Sequence, residues 1–453
     1  MGRVLIANRG EVAVRIIRTC RKLGYETVAV YSEADADSLH CRMADYRACI
    51  GAAELKSSYL NSDAILAVAA AYDVWAIHPG FGMLSESPAF RRACDKEGIV
   101  YIGPGADTIE LLGNKIHARA LLSQHGIPVI PGSDGPVRDI GRALELVASI
   151  GCPVLLKAAC GGGGCGMRVV RDPSDFAVAC RVLGKEVRQA FGDADLFVEK
   201  YLENVRHIEV QVIADHFGHV VPLSTRDCSL QIRSKKVIEE GPAFAIGEEL
   251  RRELEHTAVG IARLLGYTNA GTVEFLVDGD GNYYFIEMNT RLQVEHPVSE
   301  AITGVDIVEA QIRVAENEQI LLEPGDIISQ GHAIECRINA QDPANHFFPS
   351  TGVITGLTIP SGVGVRVDSG VAAGSRVLSF YDGMLMKIIT SALTRDMCVR
   401  LMNLALSELS IEGVQTNLEF CRYIINHPDF ISGNYSTQWV EQVAHPAYLE
   451  GGR

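Results

Sequence analysis

Glu274 and Glu287 are the residues whose spacing points most directly to chemistry. They lie on two strand-like segments, Thr272 to Val277 and Tyr283 to Asn289, separated by the turn-rich Asp278-Gly279-Asp280-Gly281-Asn282. That pattern predicts a β-hairpin, and a turn centred on Asp280-Gly281 sets Glu274 opposite Glu287. Directly opposed carboxylates, with Cβ atoms about 4.5–5.5 Å apart, repel each other. A divalent cation would reward keeping them; a solvated acidic face is the other reading. Asn289 adds a neutral oxygen on the same face, while Phe275 and Ile286 are expected to point into the core. Hard oxygens at an incomplete site suit magnesium, with water and substrate phosphates completing the shell.

Arg291, Gln293 and Glu295 continue the alternation, with Leu292 and Val294 between them. A forked guanidinium can bind a small planar anion such as bicarbonate, and a carboxylate can take its proton; taken alone, the trio also reads as a surface ion-pair strip. The run Cys160-Gly161-Gly162-Gly163-Gly164-Cys165-Gly166-Met167 follows a strand and Lys157. Bare backbone amides there suit phosphates, with Lys157 as a point charge, although a flexible lid tip has the same composition. The run is neither a Walker A loop nor a dinucleotide fingerprint. Lys115, and Lys236 within Arg233-Ser234-Lys235-Lys236, are further candidate anion ligands.

The elements that must position these groups follow from periodicity. In the first hundred residues, β-rich runs at Val4 to Ala7, Thr27 to Val30, Trp75 to Ile77 and Val100 to Ile102 alternate with helical patterns such as Val12 to Leu23, predicting βαβ units and a parallel sheet. The turns Asn8-Arg9-Gly10 and His78-Pro79-Gly80 each follow a strand, where open α/β sheets place ligand-facing loops. A cluster of turn residues from Gly132 to Gly135 marks a boundary, and a helix over about Ile140 to Ile150 with a strand at Val154 to Lys157 suits a small lid-like unit. From His207 a half-buried strand is predicted, with His207, Glu209 and Gln211 on one face and Ile208, Val210 and Val212 on the other. Beyond about Gln330, short β segments such as Gly352 to Thr355 and Gly364 to Val367, followed by a helix from about Asp396 to Leu409, read as a third, mixed α/β portion.

Composition sets the outer limits. A chain of 453 residues divides most naturally into two or three packed domains. Its formal net charge of −15 argues against a general grip on nucleic acid or anionic membrane. No stretch reaches the roughly 18 apolar residues of a membrane span, so a cytoplasmic location is expected. Twelve scattered cysteines without CxxC pairs read as reduced and mostly buried.

Several strings together resemble the biotin carboxylase subunit of biotin-dependent carboxylases over essentially the whole chain: Ile6-Ala7-Asn8-Arg9-Gly10-Glu11, His78-Pro79-Gly80 with Leu84-Ser85-Glu86, Glu199-Lys200-Tyr201-Leu202-Glu203, Arg226-Asp227-Cys228-Ser229, Phe285 through Glu300, and Glu335-Cys336-Arg337-Ile338-Asn339-Ala340. The resemblance implies an α/β chain with a Rossmann-like N-terminal domain (1–113), a central ATP-grasp domain (114–317) with a mobile lid at about 130–202, and a mixed α/β C-terminal domain (330–446). It implies ATP sites at Lys115, Lys157, Gly163, Gly164, Glu199, Lys200, Tyr201, Leu202, His207, Gln231, Ser234, Glu274, Leu276 and Glu287. Glu274, Glu287 and Asn289 match metal ligands, for two ions of magnesium or manganese. Lys236, Arg291, Gln293 and Val294 match the bicarbonate site, Glu295 the base, and Arg337 the residue facing biotin; Lys236, Arg291, Glu295 and Arg337 form the catalytic set. A homodimer, a biotin carboxyl carrier protein and carboxyltransferase subunits are the implied partners, and no nucleic acid or membrane is.

The implied reaction is the ATP- and bicarbonate-dependent carboxylation of biotin through carboxyphosphate. The chain departs from the family pattern at Cys160 and Cys165, where the loop usually has one more glycine and an arginine, and at Ser234, which is usually histidine. The altered loop keeps one alternative in view, a catalytically weak ATP-binding paralogue serving as a regulatory or structural partner in a carboxylase complex; the other alternative, a different ATP-grasp ligase, would share the metal hairpin but not the Arg337 motif. Met384-Leu385-Met386-Lys387-Ile388 superficially resembles a biotin-attachment motif, but its neighbours form an apolar strand and not an exposed hairpin tip.

Overall fold

Val4, Leu5 and Ile6 are fully buried, and a strand apolar on both faces belongs in a parallel sheet covered on both sides. In the computed structural model, which describes residues 2–159, 166–191, 195–321 and 327–451, these residues form β1 (Arg3–Ile6). It is the middle of a parallel sheet ordered β3-β2-β1-β4-β5, with β2 (Glu26–Tyr31), β3 (Tyr46–Cys49), β4 (Val74–His78) and β5 (Val100–Tyr101). The helix Gly10–Lys22 begins directly after the first turn. β3 is absent from the sequence reading because it is an edge strand, with no fully buried residue to make an apolar signal. The two turns expected to face a ligand are joined, Asn8 Nδ2 donating to the carbonyls of Pro79 (2.7 Å) and Phe81 (2.8 Å).

A second, small antiparallel sheet, β7-β6-β8, is built from β6 (Val154–Ala158), β7 (Met167–Val170) and β8 (Leu196–Lys200). It has its own core, in which Val147, Val154, Leu156, Phe176 and Val198 are fully buried. The glycine run, with Cys160, Gly163, Gly164 and Cys165, lies outside the described residues.

The third sheet has eight antiparallel strands. β13 (Tyr283–Asn289), β12 (Asn269–Val277), β9 (Arg206–Ala214), β10 (Val220–Ile232) and β11 (Lys235–Gly241) are followed by β14 (His332–Asn339) and the strands Met384–Ala392 and Val365–Ser369. The region beyond Gln330, read as a separate third portion, therefore extends the central sheet: Ile238 pairs with Cys336 and Glu239 with Glu335. β9 alternates as expected, but both of its faces are covered, because the fully buried Arg226 on β10 bonds Glu209 Oε1 (2.6 Å) and Gln211 Oε1 (2.9 Å).

The hairpin places Glu274 opposite Glu287, as expected, but by a different path. Its loop has three residues, Gly279-Asp280-Gly281, closed by Asp278 N to Asn282 O at 2.9 Å, with Gly281 in the left-handed region at φ +85°. A register shift between Glu274 and Phe275 then compensates, pairing Phe275 with Phe285 and leaving Ile286 as the bulge residue. Ile286 consequently faces the cleft, and Phe285 takes the core position assigned to it. A second correction concerns Arg291 to Glu295, which are not strand: β13 ends at Asn289, and an irregular segment leads to the helix His296–Thr303. Leu292 in that segment is still fully buried, which is why the alternation looked strand-like.

The ten cysteines among the described residues are unpaired, and only Cys49 is exposed. Lys387 is fully buried within its strand, so it is not a surface attachment site. No helix among the described residues is long and apolar enough to cross a membrane.

A buried ionic knot joins the central sheet to the C-terminal helices. Glu240 at the end of β11 accepts from Arg395 Nε (2.7 Å) and Nη2 (3.1 Å), lies 2.7 Å from His332 Nε2, and accepts from the Tyr435 hydroxyl. Burial pushes its carboxyl up, but His332 and Arg395 outweigh burial and hold it at about 2, against an ordinary 4.5. A depressed carboxyl contributes stability above its unfolded value, lost as the pH falls towards its folded one, here about 3 kcal/mol. Glu240→Gln is expected to lower the melting temperature by several degrees at pH 7, with the deficit narrowing below about pH 4.5. Melts of parent and variant across that range check it; a pH-independent deficit would mean that lost packing, not charge, is responsible.

Candidate functional site

A cleft of 740 Å³ opens where the three sheets meet. Its floor is the central sheet, and neighbouring strands bring oppositely charged side chains to the same face. Lys236 of β11 is the hub: its Nζ lies 2.6 Å from Glu209 Oε2 on β9, 3.0 Å from Glu274 Oε1 on β12 and 2.5 Å from Glu295 Oε1 in the segment after β13. Gln293 Oε1 is 3.4 Å away. Burial disfavours the ammonium, but Glu209, Glu274 and Glu295 more than reverse that and keep Lys236 firmly protonated.

The other oxygen of Glu295 accepts from Arg337 Nη2 at 2.9 Å, and Arg337 Nε donates to Glu239 Oε1 at 2.5 Å. Glu295 is fully buried. Burial pushes its carboxyl up, yet Lys236, Arg337 and Arg226 hold it well below the usual carboxylate range. Glu239 behaves oppositely: burial outweighs Arg337, and the neighbouring Glu295 adds to the effect, so its carboxyl sits at about 7.

The hairpin pair stands beside this row. Glu274 Oε1 accepts from Asn289 Nδ2 and Gln293 Nε2, both at 2.9 Å, and Glu274 Oε2 is 3.1 Å from His207 Nε2. Despite burial, Lys236 and His207 hold the Glu274 carboxyl well below its ordinary range. Glu287 contacts Lys115 Nζ. Asn289 Oδ1 accepts from Arg291 Nη2 at 2.9 Å, and Arg291 Nε is 3.1 Å from Glu86. The mutual repulsion expected of the two carboxylates is thus relieved by two ammonium groups. Two carboxylates and an amide oxygen are hard donors of the kind magnesium takes, so the residues fit that ion. A further grouping, His207, Glu209 and Glu274, brings its ligand atoms within 4.8 Å, but Lys236 already meets its charge.

The cleft's other end is lined by Lys157, Lys200, Tyr201, Leu202, Gln231, Ser234 and Leu276. Lys157 Nζ is held 2.6 Å from Glu199 Oε2, so Glu199 acts from behind the lining. Gln231 Nε2 meets His207 Nδ1 at 3.0 Å. Ser234 sits in the β10–β11 turn at φ +61°. Val294 also lines the cleft. Every sequence-predicted site residue within the described regions is therefore in or directly behind this one cleft. Glu209, Arg226 and Glu239 have no site role in the sequence reading; Glu209 shows only its place on the polar face of β9, and Arg226 and Glu239 stand beside polar neighbours, Thr225, Asp227 and Glu240, that do not single them out.

Comparison with known proteins agrees with this layout. Residues 1–109 match the family described as biotin carboxylase, N-terminal domain, residues 114–322 the carbamoyl-phosphate synthase L chain ATP-binding domain, and residues 335–442 the biotin carboxylase C-terminal domain. The chain is 50% identical to the biotin carboxylase of Halalkalibacterium halodurans, covering 97% of each. The biotin carboxylase–β,γ-ATP complex of Campylobacter jejuni superposes with a TM-score of 0.95 at 45% identity, covering 97% of this chain and 98% of that one. The biotin carboxylase domain dimer of Hydrogenobacter thermophilus 2-oxoglutarate carboxylase, in complex with MgADP, ADP and bicarbonate, gives 0.96 at 42% identity, covering 99% and 98%. With matches of this identity over nearly its full length, the chain belongs to the biotin carboxylase family.

Proposed function

We propose that this chain carboxylates biotin borne on a biotin carboxyl carrier protein, using ATP and bicarbonate and releasing ADP and phosphate. The observation that carries the reading is Glu295 bridging Lys236 and Arg337, at 2.5 and 2.9 Å, in the same cleft as the Glu274–Glu287 pair and the lysines Lys115 and Lys157. The MgADP and bicarbonate bound by the Hydrogenobacter domain support the choice of ligands.

In this reading Lys115 and Lys157 bind the ATP phosphates with the amides of Gly163 and Gly164, while Glu199 to Leu202, His207, Gln231, Ser234 and Leu276 surround the nucleotide. Magnesium or manganese at Glu274, Glu287 and Asn289 neutralises phosphate charge. Lys236, Arg291, Gln293 and Val294 hold bicarbonate. Glu295 takes the bicarbonate proton, and the freed oxygen bonds to the γ-phosphorus as the β,γ-bridging P–O bond breaks, giving carboxyphosphate and ADP. Carboxyphosphate splits into carbon dioxide and phosphate; the phosphate takes the ureido N–H proton of biotin, and Arg337 stabilises the resulting anion until it attacks carbon dioxide. We place the domain limits at 1–113, 114–317, with a lid at about 130–202, and 330–446. The chain works in the cytoplasm as a homodimer with its carrier and carboxyltransferase partners.

ATP hydrolysis that depends on bicarbonate and is accelerated by biotin, above a slower biotin-independent rate, tests the reaction; a rate indifferent to either would sink it. Glu295→Gln keeps the shape but cannot take a proton, so turnover is expected to fall by about 100-fold or more with ATP affinity within twofold. Arg337→Ala should keep much of the biotin-independent ATP hydrolysis and lose carboxybiotin formation; parallel loss of both would move Arg337 to the nucleotide. Glu274→Gln and Glu287→Gln are both expected to raise the magnesium needed for half-maximal turnover by about tenfold or more. A magnesium titration at fixed ATP that gave the parent's curve for both variants would leave the hairpin a structural acidic pair.

A further inference from the structure

Lys387 is a fully buried cation in an apolar strand, flanked by Met386 and Ile388, which are equally inaccessible. A lysine in such a place is costly unless its charge and donors are used. Its Nζ donates to the Val294 carbonyl at 2.6 Å and lies 3.3 Å from Glu11 Oε2. Glu11 is itself buried, in the first turn of the helix Gly10–Lys22, and a carboxylate from the N-terminal sheet region thus balances a lysine from the far end of the chain. Gly370, just past the strand Val365–Ser369, allows that approach, since a Cβ there would lie 2.5 Å from Glu11 N.

The contact with Val294 is what links this pair to chemistry. Lys387 is directly opposite Arg337 in the sheet register, so both side chains leave the same face towards the segment Gln293–Glu295. Arg337 meets the Glu295 carboxylate, and Lys387 meets the carbonyl of the peptide that carries Glu295. The preceding carbonyl, of Gln293, is 2.7 Å from the buried His296 ring. Two successive planar peptides are thereby fixed in orientation, in a segment with no strand ladder to do so.

We propose that Lys387, charge-balanced by Glu11, is a positioning residue for Glu295: its bond to the Val294 carbonyl holds the Val294–Glu295 peptide so that the carboxylate stays between Lys236 and Arg337. The inference rests on the proposed role of Glu295 as base. Lys387 itself touches neither bicarbonate nor nucleotide.

Lys387→Met alone strands the Glu11 charge and risks misfolding, so the decisive variant is Glu11→Gln with Lys387→Met, which removes both charges together. It is expected to melt close to the parent and bind ATP within twofold by calorimetry, while kcat/KM for bicarbonate drops at least tenfold. Lys387→Arg, which keeps the charge and a donor, should recover part of that loss. A parental kcat/KM for bicarbonate in the double variant, or an equal fall in ATP affinity and bicarbonate use, overturns the proposal. A crystal structure of the double variant reads the position without reference to turnover: Glu295 displaced from Lys236 or Arg337 supports it, and Glu295 still bonded to both refutes it. If the parent itself shows no bicarbonate-dependent hydrolysis, the proposed reaction fails, and the crystal structure still decides whether Lys387 places Glu295.

Discussion

The contact on which the rest of the site depends is the one ammonium group, Lys236 Nζ, shared by Glu209, Glu274 and Glu295. Three buried carboxylates converging on one point would repel strongly, because interior charges are poorly screened. Lys236 alone does not balance them; Arg226 takes the second oxygen of Glu209 and Arg337 that of Glu295. This arrangement requires β9, β10, β11, β12 and β14 to lie side by side in one register. A slip of one residue in any of them would turn a charge into an apolar face and an apolar side chain into the cleft. The chemistry of the cleft and the register of the sheet are therefore the same constraint.

The ends of the chain close this centre from behind. Glu11 comes from the first helix, Lys387 from a strand almost four hundred residues later, and the two meet beneath Val294. Glu240 does similar work further along β11, where Arg395 and His332 tie the sheet to the C-terminal helices. Arg9, after β1, pairs with Asp35 and stacks on Tyr381 at a distance of 4.1 Å. Each tie crosses between parts that a linear reading separates. The eight-stranded sheet explains why: the C-terminal strands pair onto β11 and continue the central sheet.

Local patterns carried the legible part of the structure. Alternation and turn residues were enough for β1, β2, β4, the helix Gly10–Lys22 and the hairpin. The Glu274–Glu287 pairing was reached by two compensating errors, a loop one residue longer than assumed and a bulge that restored the register. Periodicity cannot report a bulge, so Phe285 and Ile286 were exchanged between core and cleft. It also cannot separate a strand from an irregular segment whose one buried apolar residue is Leu292, which is why Arg291 to Glu295 look like a continuation of the strand. Glu239 and Lys387 were beyond sequence reasoning for another reason: their partners, Arg337, Glu11 and the Val294 carbonyl, are distant along the chain. The resemblance, by contrast, supplied roles that no spacing argument could.

The environment of Glu295 bears on how the proposed reaction is kept in step. A base works best when its proton affinity matches the operating pH, yet Lys236, Arg337 and Arg226 hold this carboxylate far below that range. In that state it is a poor proton acceptor. Of its three cations, Arg226 is fully buried against Glu209, Gln211 and Ser299 and cannot be drawn away. Lys236 and Arg337 are the two assigned to bicarbonate and biotin. Bicarbonate is the anion present before proton transfer in the proposed reaction; when it shares the Lys236 ammonium, the stabilisation of ionised Glu295 weakens, and each unit by which its pKa rises returns about 1.4 kcal/mol of driving force to proton transfer. In the proposed reaction the carboxylate thus gains its strength as a base when bicarbonate has claimed Lys236, which couples deprotonation to occupancy of the bicarbonate site and disfavours the consumption of ATP without bicarbonate.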